Sequence, residues 1–212
     1  DLVGVLGSAR ATNEESFLAV KLARGALRTG NVDFCLRAGL QPLVDGIAEV
    51  TGEPWPPGRL LDLERSEVIL LFEGDLAETH PRAASLVAAA VKRGARLVTV
   101  GWHRTQMTRL AARHLPVDPG AGHQVIPGLL AAVLDGGSAD GAGAVDADPG
   151  LAALRAGLAG LSVEEPVREV AAWYASATLA GIVVGEGALL PDEARDGAAG
   201  LAMLAAVTGH LG

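Results

Sequence analysis

An α/β fold, with Rossmann-like parallel sheets and flanking helices arranged in two lobes, is what this sequence predicts, and three observations carry the prediction. Val68 to Phe72 is an unbroken apolar run, the pattern of a parallel strand covered on both faces. Strand and helix patterns alternate along the chain with short connections, which implies right-handed βαβ crossovers. Half of the residues are hydrophobic while only 3% are aromatic, so small aliphatic side chains and glycine must let helices lie close on short buried strands. At 212 residues the chain is long enough to bury such a core.

Taken in order, Leu2 to Leu6 predicts a buried strand, and Gly7-Ser8-Ala9-Arg10 the turn after it. Thr12 with Glu15 three residues on is a capping box. It opens a helix with Phe17, Val20, Leu22, Ala23 and Leu27 on its inner side, ended by Gly30. A second unit begins with the strand Val68 to Phe72. It continues through a helix from Pro81 to Lys92, a strand Arg96 to Val100, a helix near Gln106 to Arg113, a strand His114 to Val117 and a helix Gln124 to Leu134. Residues 136–150, rich in Gly, Ala, Asp and Ser, predict a linker or long surface loop. Helices at Leu151 to Leu158 and Val163 to Ala175, a strand Ala180 to Val184 and a helix Glu193 to Val207 follow. The expected division is a discontinuous first lobe, 1–38 with 160–212, and a second Rossmann-like lobe, 39–135.

Composition narrows the function classes. With 17 basic against 25 acidic residues and a formal net charge of −8, the chain lacks the clustered cations of a nucleic-acid surface. A single cysteine excludes a disulfide framework and an iron–sulfur cluster held within this chain, and it fits a reducing, cytoplasmic compartment. No apolar run approaches the roughly 20 residues of a membrane span, and no signal-peptide pattern opens the chain, so direct membrane insertion is not expected. Because it starts straight on an apolar strand, the chain is expected to be cut from something larger.

Four segments carry a family resemblance. The first is Gly7-Ser8-Ala9-Arg10 with Thr12-Asn13-Glu14-Glu15 and Lys21-Leu22-Ala23-Arg24. The second is Asn31-Val32-Asp33-Phe34-Cys35-Leu36-Arg37. The third is Glu78-Thr79-His80-Pro81 followed by Lys92-Arg93-Gly94-Ala95-Arg96-Leu97, and the fourth is Leu201 to Gly212, with Leu204 and Thr208-Gly209. In this order and spacing they resemble molybdopterin oxidoreductases of the formate dehydrogenase type. The resemblance implies the two-lobed formate dehydrogenase/DMSO reductase fold, with molybdenum or tungsten held by molybdopterin guanine dinucleotide. The residues also have plain structural readings. Gly7 and Ser8 form a strand-to-helix turn whose N–H groups could face an anion, and Pro81 near a first helical position follows Thr79 and His80 as a helix start.

Against that resemblance the chain departs at each place where the family does chemistry. Gly39 and Leu40 stand where the family has its metal-ligating cysteine or selenocysteine and a histidine. Neither can ligate a metal or move a proton. Ahead of the Glu-Thr-His-Pro segment comes Glu73-Gly74-Asp75, two carboxylates facing the expected pyrophosphate, where like charges about 4 Å apart in low dielectric repel by several kcal/mol. The family's Asp-Pro-Arg becomes Gly101-Trp102-His103, with Trp102 expected to fill space, and its Gly-Thr-Asp turn becomes Gly120-Ala121-Gly122. Side-chain acceptors for a nucleotide are gone from both.

Cys35 matches the family's structural cysteine and is expected to be a buried small hydrophobe. The histidines at 80, 103, 114, 123 and 210 are dispersed and lack zinc-site spacing. His103 beside Arg104 reads as a solvated loop residue or an anion contact. Ser8 lacks a nucleophile elbow, Glu14-Glu15 suits a helix N-terminus, and Val183-Val184-Gly185-Glu186-Gly187 is a Gly-rich turn without a dinucleotide fingerprint.

The expected function is a non-catalytic, cofactor-free domain of this fold. Gly7, Ser8, Gly74, Asp75, Thr79, His80, Gly101, His103, Gly120 and Gly122 would mark its vestigial cofactor site, with no metal. The resemblance implies a precedent in the large iron–sulfur subunit of NADH:quinone oxidoreductase. The expected partners are therefore other subunits or domains of an iron–sulfur electron-transfer complex, on the cytoplasmic side of a membrane. Two alternatives stand beside it: a fragment of a catalytic formate dehydrogenase-type enzyme, and a stand-alone Rossmann-like small-molecule binding module.

Overall fold

A computed structural model describes residues 3–8, 11–34, 36–53, 58–136, 149–189 and 193–211. The chain divides into two units, Asp1–Pro42 and Leu43–Gly212. In the first, β1 (Val5–Gly7) pairs in parallel with β2 (Val32–Phe34), Leu6 opposite Asp33. Helix α1 (Asn13–Lys21) starts on the capping box: the Glu15 amide donates to Thr12 Oγ1 at 3.2 Å and the Thr12 amide to Glu15 Oε2 at 2.8 Å. It winds on into a π-turn, Leu22–Ala26. The chain leaves this helix through Arg28, at φ 53, rather than at Gly30. Buried Thr29 then ties the strand ends, its hydroxyl donating to Val3 O at 2.9 Å and accepting from the Asn31 amide at 3.1 Å.

The inner face expected for α1 is corrected. Phe17, Leu22 and Leu27 are exposed, and Ala23 and Thr29 are the buried residues among those described in this unit. A helix absent from the sequence expectations, α2 (Leu36–Thr51), begins in the first unit and carries Pro42 inside it, where the units divide. Pro42 removes one intrahelical donor, which is the local signal that hid this helix.

In the second unit the sheet order is β5-β4-β3-β6, all parallel. The strands are β3 (Val68–Phe72), β4 (Arg96–Gly101), β5 (Arg113–Pro116) and β6 (Ala180–Val184). All five residues of β3 are buried, so alternate side chains feed two separate cores. Ile69 and Leu71 pack with Leu97 against α3 (Leu76–Thr79), α4 (Pro81–Lys92) and Met107. Val68, Leu70 and Phe72 pack with Val98 and Val100 on the other face. That face is covered by α5 (Ile126–Gly136), α7 (Glu165–Ser176) and α8 (Ala194–Val207). Between α5 and α7 lies α6 (Pro149–Leu158).

The expected assignment of 160–212 to a first lobe is corrected by this pairing. β6 runs beside β3 in register, Val68 opposite Ala180 and Phe72 opposite Val184. Central β3 is paired on both sides, with β4 and with β6, whose β-branched run Ile182-Val183-Val184 suits a strand. The helix expected over 106–113 is one 3₁₀ turn, Met107–Arg109, and 3₁₀ turns also occupy Leu60–Glu64, Gly122–Val125 and Glu186–Leu189. The expected linker falls mostly on 137–148, outside the described residues. Among the described residues no helix is long and apolar enough to cross a membrane.

Candidate functional site

From β3 the chain proceeds outward to β4 and β5, then returns to place β6 on the opposite side of β3. In such doubly wound sheets the crevice for ligands opens at the carboxyl ends of the two strands where the order reverses. Here those ends are Phe72-Glu73-Gly74 and Val184-Gly185, and the crevice is closed by backbone. The Gly185 amide donates to Phe72 O at 2.7 Å and the Gly187 amide to Glu73 O at 3.1 Å. A side chain on Gly185 would meet Gly74 Cα at 2.3 Å and Glu73 O at 2.6 Å. One on Gly187 would meet Glu73 O at 2.8 Å. The Gly-rich turn after β6 therefore serves close approach to β3, which spacing alone left unassigned.

Glu73 holds the centre of this site. Its φ of 46 is left-handed, a conformation that costs an L residue about 1–2 kcal/mol. It persists because the surroundings over-determine it: the Glu73 amide donates to Val100 O at 2.7 Å, while its carbonyl takes the Gly187 amide. The side chain turns inward, 8% exposed. Oε1 accepts from the Gly122 amide at 3.1 Å, and Oε2 is buried without a hydrogen-bond partner among the described residues.

The other expected site residues take ordinary structural roles. Asp75 does not stand beside Glu73 in a shared acidic face; it caps α3, accepting from the Ala77 amide at 3.1 Å. Thr79 closes α3 by donating to Asp75 O at 2.9 Å, and its hydroxyl pairs with His80 Nδ1 at 3.0 Å. His80 stands at the N-cap of α4 without a side-chain cap bond, with Pro81 in the first turn. Gly101 ends β4, buried. Trp102, expected to fill space, is instead 57% exposed, its ring 4.1 Å from that of His103. His103 is exposed. Gly120 makes a turn at φ 77 and Gly122 opens the 3₁₀ turn before α5.

Gly7 and Ser8 lie at the end of β1 in the first unit. Gly39 and Leu40 are helical residues of α2. Cys35, Ala9 and Arg10 lie outside the described residues. Among the described residues no group of three or more His, Cys, Asp or Glu side chains could hold a metal. The histidines go to structural bonds: His114 Nδ1 with Thr99 Oγ1 at 3.0 Å, His123 Nδ1 donating to Gly120 O at 3.1 Å, and His210 Nε2 donating to Tyr174 O at 3.1 Å.

Space and charge at the switch point decide what it can hold. Two cavities flank Glu73, one bounded by Phe72, His123, Ile126 and Ala188, the other by Thr99, Gly101, His103 and Thr108. Each measures about 20 Å³, room for about one water molecule. A pyrophosphate brought here would meet a buried carboxylate and closed backbone. The described residues at this switch point do not fit the phosphate-linked dinucleotide that the sequence resemblance implies.

Over its whole length the chain aligns with the alpha subunit of F420-dependent formate dehydrogenase 2 from Methanococcus maripaludis, at 30% identity and covering 33% of that protein. Formate dehydrogenase H of Escherichia coli is 25% identical, again over the whole chain and 31% of the relative. Nitrate reductase of Shewanella frigidimarina is 34% identical over 64% of the chain and 14% of its own length. Among solved structures, acetylene hydratase from Pelobacter acetylenicus superimposes with a TM-score of 0.72 at 15% identity, over 97% of this chain and 29% of that one. No protein-family model matches. The full-length alignments thus span about a third of the curated relatives.

Proposed function

Because the chain is a homologue of formate dehydrogenase alpha subunits, within the molybdopterin oxidoreductase family, we propose that it is a non-catalytic, cofactor-free domain of that fold, kept for structure in an electron-transfer complex of the NADH:quinone oxidoreductase type. The observation that carries this reading is Glu73: a buried carboxylate at the switch point of the sheet, where a dinucleotide's phosphates would be received. Gly39 and Leu40 support it from the sequence side, since neither offers a metal ligand or a proton. Retained fold with lost site chemistry is how fold and function separate. The partners in this reading are iron–sulfur subunits or domains on the cytoplasmic side, after the precedent that the resemblance implies; the one cysteine of this chain cannot itself hold a cluster.

Metal and nucleotide content of the intact protein tests the reading. Mass spectrometry of molybdenum and tungsten, with chromatography of released guanine nucleotide, is expected to find neither above trace amounts. Stoichiometric metal with bound guanine dinucleotide would overturn it in favour of a catalytic formate dehydrogenase-type subunit.

A further inference from the structure

The geometry points to Glu73 as a built-in anion, its carboxylate occupying from within the chain the place at the β3/β6 switch point where the phosphate group of a ligand would otherwise be received. This rests on the reading of the domain as cofactor-free and says how the vacated site is kept shut. Three observations carry it. The Gly122 amide opens a 3₁₀ turn that runs straight into α5, the kind of donor that receives an oxyanion in doubly wound folds, and its acceptor is Glu73 Oε1 at 3.1 Å. The side chain is seated between glycines: a Cβ on Gly122 would lie 3.0 Å from Glu73 Cδ, and one on Gly187 3.1 Å from Glu73 Cβ. Finally, Glu73 lines both of the small cavities at this end of the sheet, so that deleting its side chain adds space to them beside a freed amide.

The same geometry explains why a glutamate stands at a left-handed position that glycine would fill without strain. Its side chain supplies an acceptor for a buried donor that has no other acceptor among the described residues, and an orphaned buried N–H is a rare state in folded proteins. Oε2, buried and unpartnered among the described residues, marks the match as imperfect: one carboxylate oxygen is used where a phosphate would present three.

Glu73→Gly and Glu73→Gln, made in the intact protein, test the plug, with inorganic pyrophosphate as the probe in calorimetry and hydrogen exchange read on peptides covering residues 120–126. Glu73→Gly is expected to gain saturable pyrophosphate binding at least tenfold tighter than the wild type, with exchange at 120–126 slowed by the ligand. Glu73→Gln, whose amide oxygen can still accept from Gly122, is expected to stay closed. Wild-type protein that binds pyrophosphate as well as Glu73→Gly overturns the proposal, as does a folded Glu73→Gly variant that gains nothing. Should Glu73→Gly fail to fold, Glu73→Ala is read in the same way. The wild type also decides by itself: slow exchange of the Gly122 amide supports the bond, and exchange as fast as in an unstructured peptide overturns it. If the wild type lacks metal and nucleotide while the variants gain nothing, the plug fails and the functional reading stands. Stoichiometric cofactor in the wild type removes the functional reading first.

Discussion

The first and second units of this chain use the same vocabulary, parallel strands joined by helices, and reach opposite balances of force. In Asp1–Pro42 two three-residue strands pair and the described residues bury Ala23 and Thr29. In Leu43–Gly212 a four-stranded sheet has a central strand with no exposed residue and a core on each face. A unit near 40 residues has too little interior to be stabilised by burial, and a two-stranded sheet is marginal alone. Among the described residues the first unit is joined by hydrogen bonds such as the Thr12–Glu15 box and the Thr29 bond to Val3, 26 positions away, whereas the second is built on apolar burial.

The strongest test of that contrast is Leu70→Ala. Leu70 lies at the middle of β3 with 0% exposure, and truncating a leucine in a closed core costs about 2–5 kcal/mol. Denaturant unfolding followed by circular dichroism should show the loss for the second unit; a cost under 1 kcal/mol would mean the core is not packed as described.

Close backbone approach is next in size. Gly185→Ala places a Cβ 2.3 Å from Gly74 Cα, a backbone clash that no rotamer relieves, and overpacking of this kind costs about 1–3 kcal/mol. Gly30→Ala, in the first unit, meets nothing within 4 Å and should change stability by less than about 0.5 kcal/mol. Equal effects of the two substitutions in the same denaturation assay would erase the distinction.

Tyr174 supplies a pH-dependent test of the second core. It is the chain's one tyrosine, 1% exposed, edge-on to His210 with ring centroids 5.0 Å apart. Burial pushes its phenol well above the ordinary value, a hydrogen bond with Thr208 opposing only in part. The folded state thus holds the proton more tightly than the unfolded one, whose tyrosine titrates near pH 10. Stability from this group is complete below about pH 10 and falls above it by up to about 1.4 kcal/mol per pH unit. Unfolding free energies measured between pH 9 and 11.5 should bend downward near 10, and Tyr174→Phe should remove the part of the bend due to this group. Phenolate absorbance follows Tyr174 alone, and its appearance near pH 10 in folded protein would contradict the burial.

What was legible in the sequence follows the same division. β3, α4, β4 and β6 lie where periodicity and flanking residues place them, because strong apolar runs are decided locally. The side of β3 on which β6 docks was not legible, since pairing partners are chosen by the geometry of the whole sheet. α2 was hidden by Pro42, and the exposure of Phe17 and Leu22 by a helical pattern that presumed a core to face. At the site, the sequence identified Glu73 and Asp75 as foreign to phosphate binding but implied that both carboxylates would face the expected pyrophosphate. In the structure the two part company, one capping α3 and the other turned inward at a positive φ. No residue pattern announces that turn, because it is imposed by the bonds Glu73 makes with the Val100 carbonyl and the Gly187 amide, both far away in the chain.

The smallest expected effects belong to the first unit, and there the ranking of side chains inverts. Thr12→Ala removes the acceptor of the Glu15 amide, and loss of an N-cap of this kind costs about 1 kcal/mol. Leu6→Ser alters a residue that is 74% exposed, so its effect should stay within about 0.5 kcal/mol. In the second unit an apolar truncation should outweigh the loss of any single polar bond; in the first, a hydroxyl should outweigh a leucine. Hydrogen exchange across residues 12–26 reads both substitutions. Faster exchange in Leu6→Ser than in Thr12→Ala would show that the first unit is held by burial after all.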